Sequence, residues 1–561
     1  MKTQRYSFLL IGIALFLAVL IVYHLKFSLS FIWPTNTNLL FRGDWAQHYL
    51  SWEMFRLLPW QVPLGTLTNY FYPVVTNIGY TDTIPLFAFF FKLFSPLLPS
   101  DFQYIGLWFL LCFVLQAFFG VLIMRALKIT NPIGMFAGAM LFTLSPVLLF
   151  RSGHPALCAQ WLIVGSLWVY VNDFTQQHPT RPKIIQLILL LLSGFIHPYL
   201  AIIVFSFTLA YFFRLWAIEK KMHLLYFIAW TSCATCILLS SWYIIGYFSL
   251  PSQDAWGTGG SFVLYSTNLL AFMNPFKYSP FLPDIPLPLN TQFEGFAYLG
   301  LGILLFIPII GIKKIVDSIT HKRYYNTLHT KKDWRIWIPL IIIAAAFTIF
   351  SLSNVVNFGS HVLFTYPLPE KFIPLTNTFR ACGRFIWVLY YCIVVFLFAA
   401  LSRSHFSQKG VAIILMMTLI IQIVDISKLI YNGHTVPTAK PYQSTLSAPW
   451  GDVVKNRHLI VMYPPFRQDY VHPGDYTKFV YLAHQHNLAI TTGYLARYNS
   501  KAYANYLSEI EYALQNGQPN QKALYITTQN QQEKFTPWLN KHLVSKQLLD
   551  GYIIFLPISS Q

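Results

Sequence analysis

The stretch SFLLIGIALFLAVLIVYHL, residues 7–25, decides the fold class. It contains no Asp, Glu, Lys or Arg, and an α-helix needs about 20 such residues to cross a bilayer. No small-residue cleavage site follows it, so we expect a retained helix and not a removed signal peptide. Similar apolar runs lie at 102–124, 133–150, 155–172, 183–196, 198–213, 224–247, 296–312, 336–355, 383–401 and 410–429. The sequence therefore predicts a polytopic α-helical membrane protein with about eleven spans.

Composition and charge support this class and give it an orientation. Hydrophobic residues make up 55% of the chain and charged residues only 11%, against about 25% charged residues in soluble proteins. The net charge is +19, and the basic residues concentrate in alternating short loops such as 125–128, 214–221 and 313–335. Loops of this kind stay on the cytoplasmic side, which predicts the N-terminus inside and the C-terminus outside. The positive charge thus indicates topology and not nucleic-acid binding, and we expect a multi-pass membrane protein.

Three long segments, 26–101, 248–295 and 356–382, fall on the predicted outer side. The first includes TIPLFAFFFKLFSPLLP, residues 83–99, which prolines bound and Lys92 interrupts. Because this run is short for a span, we expect a helix that lies at the membrane interface.

The pattern changes after residue 430, which predicts a membrane domain over 1–430 and a second domain over 431–561. Predicted strands are RHLIVMYPP (457–465), LAITTGY (488–494), ALYITTQ (523–529) and GYIIFLP (551–557), and helical stretches at 498–515 and 530–542 separate them. This alternation is typical of a small α/β domain, which the orientation places in the periplasm or outside the cell.

Two acidic residues of the first outer segment are candidates for catalysis. In FRGDWAQHYLSWEMFR, residues 41–56, Asp44 either caps a helix together with Gln47 or acts as a general base. His48 lies one turn further along the same helix face. Asp82 either caps the helix of the interfacial run or supplies a second carboxylate, to bind a metal or to orient a hydroxyl. Glu53 and Arg56 resemble an ordinary surface pair.

Histidines and arginines at the outer ends of spans are candidates for phosphate binding. His154 and His197 each precede a proline, so they either cap helices or serve a site that handles a phosphate or a proton. Arg380 and Arg384 lie one turn apart at the start of a span. They either reach lipid headgroups or hold a phosphate in bidentate fashion, and Arg151 could join them.

Glu294, in QFEGFAYLG (292–300), lies at the entry to another span. A carboxylate at the membrane edge indicates a functional site. The alternative is a salt bridge to Arg380 or Arg384.

The layout resembles the GT-C superfamily of integral-membrane glycosyltransferases, in an uncharacterised bacterial branch with a soluble α/β tail. The features that carry the resemblance are Gly43-Asp44-Trp45 after the first span, the Pro-bounded helix from Ile84-Pro85-Leu86 to Pro99, and the outer arginines. The resemblance covers roughly residues 1–430.

The resemblance implies that a sugar moves, with inversion, from a polyprenyl-phosphate donor to a glycan or lipid acceptor of the cell envelope. Asp44 would be the base, Arg380 and Arg384 would hold the lipid phosphate, and Arg151 and His154 are weaker phosphate candidates. No cofactor is required, although a divalent metal is compatible with the family. The first outer segment lacks the adjacent acidic pair of many relatives, which leaves Asp44 and Asp82 as alternative bases.

Two other functions remain open at this point. A transporter or flippase would place charged groups in mid-membrane and show inverted repeats, neither of which is evident here. A non-catalytic scaffold of envelope assembly could use the C-terminal domain to bind a partner.

Overall fold

A computed structural model describes residues 2–172, 180–249, 260–320, 334–404, 406–431, 440–464 and 475–558. Within these residues the chain forms fifteen α-helices of eight or more residues. In chain order, α1 to α15 are Lys2–Phe27, Gly43–Leu57, Pro85–Lys92, Ile105–Ala126, Pro132–Thr143, Trp161–Val171, Arg181–Gly194, Pro198–Phe213, Leu224–Ile245, Leu301–Thr320, Ile338–Ser351, Trp387–Ser402, Gln408–Asp425, Asp475–Gln485 and Ser500–Asn516. Strands β1 to β9 are Thr66–Leu67, Thr76–Asn77, Val355–Phe358, His361–Thr365, Leu459–Tyr463, Ala489–Ile490, Ala523–Thr527, Val544–Leu549 and Tyr552–Pro557.

Eight helical segments of the described residues are long and apolar enough to cross a membrane. They are Leu9–Phe27, Ile105–Ala126, Pro132–Gly153, Pro198–Ile218, Leu224–Ile245, Trp334–Ser351, Cys382–Ser402 and Gln408–Asp425. The chain is therefore a multi-pass helical membrane protein, as the sequence predicts.

The other three predicted spans, 155–172, 183–196 and 296–312, coincide with helical segments that do not meet these criteria. Pro155–Val171 and α7 are shorter, and α10 carries Lys313, Lys314 and Asp317 near its end. Most of the predicted inner segment 313–335 lies outside the described residues. The count of eleven and the orientation of the termini stay predictions.

The chain divides into two compact units. The first unit comprises residues 1–32, 106–240 and 257–436, which include most of the membrane helices. The second unit comprises 33–105, 241–256 and 437–561, so it combines most of the first outer segment with the C-terminal residues. The predicted domain boundary at residue 430 stays a prediction.

The C-terminal part of the second unit contains a five-stranded sheet of order β6-β5-β7-β9-β8. Strands β6, β5 and β7 run parallel, and β9 and β8 are antiparallel to their neighbours. All four predicted strands form. Strand β8 was not predicted, because its polar residues Ser545, Lys546 and Gln547 interrupt the alternation that is typical of a strand. The sequence Asp550-Gly551 is nevertheless a typical hairpin turn.

The predicted interfacial run forms only the eight-residue helix α3 and a short 3₁₀ turn, Ser95–Leu97. Lys92 does not reach solvent: its ammonium donates to the Phe55 carbonyl at 2.9 Å and lies 3.7 Å from the centre of the Phe55 ring. Phe90, Leu93 and Leu97 are exposed. Such an apolar surface suits the predicted place at the membrane interface.

Helix α2 packs against α14 through a buried acid. The Glu53 carboxylate accepts from Phe102 N–H at 3.2 Å, and it lies 3.0 Å from His484 Nε2 and 3.4 Å from the Arg56 guanidinium. Glu53 is fully buried, so the interpretation of Glu53 and Arg56 as a surface pair is wrong. The position of Glu53 in the helical pattern did not indicate that it has a partner. That partner, His484 on α14, lies 431 residues later in the sequence.

This buried pair predicts a pH-dependent stability. Burial lowers the pKa of His484, while the hydrogen bond to Glu53 and the charge of Glu53 raise it. Asp101 also raises this pKa and Arg56 lowers it. The net result is a pKa above the usual value for histidine. The folded protein thus holds this proton to a higher pH than the unfolded chain, whose histidine titrates near pH 6.5. The stabilisation is complete below that pH and is lost as the pH rises through the folded-state pKa.

We therefore expect the free energy of unfolding to fall as the pH rises from 6.5 to 8.5, by at most about 1.4 kcal/mol per pH unit. Thermal unfolding of the purified protein across this range measures the effect. His484→Gln should flatten the profile. His486→Gln, which changes an exposed histidine next to the same helix, should not. Equal slopes for all three proteins would contradict the assignment.

Candidate functional site

A cluster of charged side chains lies in the first unit, around the buried carboxylate of Glu294. Arg384 contacts it in bidentate fashion, with Nε 2.8 Å from Oε2 and an Nη 3.1 Å from Oε1. Arg151 donates to Oε2 at 2.7 Å and to the Glu294 carbonyl at 2.5 Å. His154 Nε2 lies 3.9 Å from Oε1. The salt-bridge interpretation of Glu294 is thus correct, with Arg384 and Arg151 as partners.

Close backbone packing positions these side chains. Glu294 lies in the 3₁₀ turn Asn290–Gly295, and Arg384 lies in the 3₁₀ turn Cys382–Ile386. A Cβ atom on Gly383 would stand only 2.7 Å from the Gly295 Cα, so only glycine permits the two segments to approach this closely. Glu294 precedes Gly295 and Arg384 follows Gly383, so the contact between the two glycines brings the opposite charges together.

Arg151 comes from a third segment, at the end of the candidate span Pro132–Gly153. Its guanidinium lies 5.3 Å from the centre of the Phe150 ring and 5.4 Å from that of Trp387. Arg151 is fully buried, and its Nε has no hydrogen-bond partner among the described residues. The rings of Phe150 and Trp387 are close enough to stabilise the positive charge of Arg151, which is shielded from water.

The cluster is positive overall. Two guanidinium groups against one carboxylate leave one net positive charge before His154 is counted. Burial alone would raise the pKa of Glu294, but Arg151 and Arg384 outweigh it and hold the pKa well below its usual range. The carboxylate therefore stays ionised. The side chain of Arg384 is 12% exposed and that of His154 is 25% exposed, so an anion could approach from their side.

Tyr199 connects the segments of His197 and Arg380 to this cluster. His197 caps α8, since its Nδ1 accepts from the Tyr199 N–H at 3.2 Å, so the capping interpretation holds for this residue. The Tyr199 ring lies 4.9 Å below the Arg384 guanidinium, and its hydroxyl accepts from the Ala381 N–H at 2.9 Å. Arg380, the residue before Ala381, is half-buried. His154 precedes the short 3₁₀ turn Pro155–Cys158, but its side chain accepts no cap hydrogen bond from that turn, so the capping interpretation is wrong for His154.

Tyr199 was not predicted as a site residue, because a single tyrosine in an apolar run has no distinctive spacing. The only available signal was its place directly after His197-Pro198, at the start of a span.

The two candidate acids lie in the second unit. Asp44 is in the first turn of α2 and is half-buried, but the N-cap residue is Arg42, whose side chain makes no cap hydrogen bond. Gln47 donates instead to the Tyr80 carbonyl at 3.2 Å. The capping-box interpretation of Asp44 is therefore wrong. His48 is buried within the same helix.

Asp82 does not cap α3 either, because the cap residue is Ile84. Asp82 and Ile84 both have positive φ, of 55° and 54°, in a conformation that is rare for a β-branched residue such as isoleucine. The segment of Asp82 packs on α2, where the hydroxyls of Thr83 and Ser51 lie 2.6 Å apart. Asp44 and Asp82 thus belong to adjoining segments of one unit.

Two residues near Asp82 were not among the predicted candidates. Burial and the charge of Asp82 raise the pKa of Tyr247, and the charge of Arg497 lowers it, so Arg497 and Asp82 act on the same hydroxyl. Ala496 N–H also donates to the Tyr80 carbonyl at 2.8 Å, which brings Arg497 to this segment. A carboxylate such as Asp82 can take the proton of a hydroxyl, and a cation such as Arg497 can stabilise the negative charge that results.

A divalent metal would require oxygen ligands from such acids. Among the residues that the structure describes, no three His, Cys, Asp or Glu side chains come together in a metal-binding group.

Two solved structures are similar to the chain over nearly its whole length. The archaeal oligosaccharyltransferase AglB from Archaeoglobus fulgidus, in complex with an inhibitory peptide and a dolichol-phosphate, shares 10% sequence identity with a TM-score of 0.40. The match covers 98% of this chain and 74% of that one. ArnT from Cupriavidus metallidurans, bound to undecaprenyl phosphate, shares 12% identity with a TM-score of 0.37, over 99% of this chain and 98% of that one.

The comparison with curated proteins found no match. Residues 13–427 match the family described as "Domain of unknown function (DUF6311)", and residues 449–557 match the DUF6311 C-terminal domain. Together these matches cover both the membrane helices and the C-terminal sheet. The chain therefore belongs to the DUF6311 family.

Proposed function

We propose that this protein is a membrane glycosyltransferase that moves a sugar from a polyprenyl-phosphate donor to a glycan or lipid acceptor of the cell envelope. The reaction takes place at the outer face of a bacterial inner membrane. The observation that carries the proposal is the positive cluster of Arg151, Arg384 and His154 around Glu294. The GT-C resemblance of residues 1–430 supports the same function.

The cluster suits a phosphate that leaves during the reaction. When the bond from the sugar to the phosphate breaks, negative charge builds up on the lipid phosphate, and fixed positive charges stabilise it. Glu294 holds both guanidinium groups in place, so they need no rearrangement as the charge develops. Arg384 and His154 contact the phosphate in this proposal, while buried Arg151 adds its charge from behind.

The acids of the second unit suit the acceptor. In this proposal Asp44 takes the proton of the acceptor hydroxyl, and the hydroxyl oxygen attacks the anomeric carbon as the bond to the phosphate breaks. One bond forms to the acceptor and one breaks to the phosphate, which inverts the anomeric centre. Asp82 orients the hydroxyl. The proposal assigns no step to a metal, and EDTA in the assay tests whether a cation is required.

The distribution of charge in the helices disfavours a transporter. In the eight candidate spans, every Asp, Glu, Lys and Arg lies among the first or last five residues. The buried polar groups further inside are neutral, for example Gln116, which donates a hydrogen bond to the Tyr391 hydroxyl. Transporters usually place ionisable groups at mid-membrane depth.

The test is a transfer assay with the full-length protein in lipid nanodiscs. The donors are a panel of radiolabelled sugars on undecaprenyl phosphate, with the same sugars on nucleotides for comparison, and a membrane extract supplies acceptors. We expect label to leave the lipid donors only, and added undecaprenyl phosphate to inhibit. Transfer from nucleotide sugars alone would contradict the lipid donor. Movement of labelled lipid across a liposome bilayer without transfer would indicate a flippase.

A further inference from the structure

A β-hairpin in the predicted outer segment 356–382 has no role in the proposal above. Strands β3 and β4 pair antiparallel, and the two residues Gly359 and Ser360 join them. Gly359 has a φ of 58°, which the first position of a tight hairpin turn requires and which glycine adopts without strain. Leu363 has no partner in the register, so β4 carries a bulge at this residue. The turn and the bulge define the hairpin locally.

The hairpin exposes an apolar surface. Val362, Leu363 and Phe364 follow one another in β4, and each side chain is more than half exposed. Phe358, at the end of β3, is exposed as well. From residue 355 to residue 369 the sequence contains no Asp, Glu, Lys or Arg. Antiparallel strands that face water usually carry polar side chains on that face, so this surface indicates an apolar partner.

The connection to a membrane helix identifies that partner as lipid. Helix α11 ends at Ser351 and β3 begins four residues later, at Val355. An extended chain of that length reaches at most about 13–14 Å, so the hairpin starts close to the membrane surface. Most residues of α11 are not buried against the rest of the protein, and Ile349 in its last turn is exposed. The apolar surface of the hairpin thus continues, along the chain, the surface that α11 presents to lipid.

The backbone limits how deeply the hairpin enters the bilayer. Strand β4 pairs only with β3 in the described chain, so its outer edge carries N–H and C=O groups without a strand partner. Hydrocarbon offers no hydrogen bonds to such groups, whereas the headgroup region and its water do. Tyr366 and Lys371 follow β4 and are exposed, and tyrosine and lysine are residue types that favour this region. The hairpin therefore suits shallow insertion and not a span.

One short segment joins the hairpin to the charge cluster of Glu294. The side-chain amide of Asn268 donates to the Gly359 carbonyl at 2.8 Å, and its Oδ1 accepts from the Gly359 N–H at 3.0 Å. The hydroxyl of Thr267, the preceding residue, donates to the Gly383 carbonyl at 3.2 Å. Gly383 directly precedes Arg384. The depth of the hairpin in the membrane and the position of Arg384 are thus coupled through residues 267–268.

We propose that this hairpin inserts into the interfacial region of the bilayer, with the side chains of Val362, Leu363 and Phe364 among the lipid acyl chains. Through residues 267–268 it holds the cluster of Arg384 at the depth of the lipid phosphates. Only this second part rests on the proposed function, because insertion requires no substrate and no reaction.

The test measures the depth of one side chain in the full-length protein in lipid nanodiscs. Leu363→Cys receives a nitroxide spin label in a background where the exposed Cys233 and Cys236 are replaced by serine. The same background without Leu363→Cys gives the signal from other sites. Electron paramagnetic resonance then compares how strongly oxygen and a water-soluble nickel chelate relax the label. We expect oxygen to dominate, with the label about 5–10 Å into the boundary between headgroups and acyl chains.

Two other labelled positions calibrate this measurement. Ile349→Cys, on α11, should report lipid, and Gln547→Cys, at an exposed position of strand β8, should report water. A Leu363→Cys label that the nickel chelate relaxes as strongly as the one at Gln547→Cys would overturn the proposal. Protection from both reagents, or line broadening by a second label, would also overturn it, because another protein or a second copy of the chain would then cover the hairpin.

A substitution tests the second part. The triple variant Val362→Ser, Leu363→Ser, Phe364→Ser changes only exposed side chains, so we expect unchanged thermal stability in detergent. The KM for the lipid donor should rise about 3- to 10-fold at constant kcat, because the donor then binds only the fraction of molecules whose cluster lies at phosphate depth. Leu548→Ser changes an exposed leucine of β8 and should leave the KM unchanged.

The two proposals can fail separately. An inserted Leu363→Cys label without any sugar transfer by wild type would retain the hairpin and contradict the transferase. Transfer by a protein whose Leu363→Cys label lies in water would retain the transferase and overturn the hairpin. Insertion together with an unchanged KM in the triple variant would overturn the link between the hairpin and the cluster.

Discussion

Replacement of Glu294 by glutamine is expected to destabilise the protein by roughly 3–5 kcal/mol, as the loss of one partner does in other buried ion pairs. Glutamine matches the carboxylate in size but carries no charge. Arg151, which is fully buried, and Arg384 would then face each other without the anion between them. Thermal unfolding of the detergent-purified protein, followed by tryptophan fluorescence, measures the loss.

A second substitution tests the cause. If the loss arises from unpaired buried charge, Glu294→Gln combined with Arg151→Met should recover most of the stability, since it removes one of the two cations. Glu511→Gln is the matched control, because Glu511 and Lys534 form a pair whose side chains are about half exposed. Such pairs contribute about 0–1 kcal/mol. A similar loss in both single variants would contradict the proposed importance of the cluster.

The substitution Asp44→Asn is expected to reduce the rate of sugar transfer about 10²- to 10⁴-fold, the usual contribution of a general base. Asparagine retains the shape of the side chain and its ability to accept a hydrogen bond, but it does not take up a proton at neutral pH. Because asparagine has nearly the same size and keeps an oxygen acceptor, we expect little change in folding stability. The measurement is the initial rate at saturating lipid donor, with thermal unfolding of the same preparation.

Asp82→Asn serves as the comparison. It should lower the rate less than Asp44→Asn if Asp82 orients the hydroxyl, and the Michaelis constant for the acceptor should rise. If Asp82→Asn abolishes transfer while Asp44→Asn does not, the roles are exchanged. Equal rates in both variants and wild type would remove both residues from the chemistry.

The sequence alone predicts the elements that depend on local pattern. Apolar runs of the length of a bilayer identified the membrane helices, and alternating runs identified four of the five strands of the C-terminal sheet. Strand β8 was missed because the three consecutive polar residues Ser545, Lys546 and Gln547 interrupt the alternation of apolar and polar residues. The start of α2 also differs from the prediction, because Arg42 and not Asp44 is the N-cap residue.

The candidate site was predictable where charge is scarce. Arg151, His154, Glu294 and Arg384 were notable because they stand at the ends of apolar runs, and the structure brings these four together. The salt bridge from Glu294 to Arg384 was one of the predicted alternatives, and the contact between Gly295 and Gly383 brings the two residues together. The pairing of Glu294 with Arg151 was not predicted, because no local pattern links their two segments. His484 likewise carries no local sign that it meets Glu53, because such contacts are set by the tertiary fold.

The division of the second unit along the chain has a consequence for biosynthesis. Glu53 leaves the ribosome 431 residues before His484, and at about 5–20 residues per second this interval lasts roughly 20–90 seconds. During that time the side of helix α2 that packs against α14 stays uncovered, and the Glu53 carboxylate lacks its partner His484. Any chain that ends prematurely keeps that surface uncovered, and so presents to proteases and chaperones a segment that the complete protein hides.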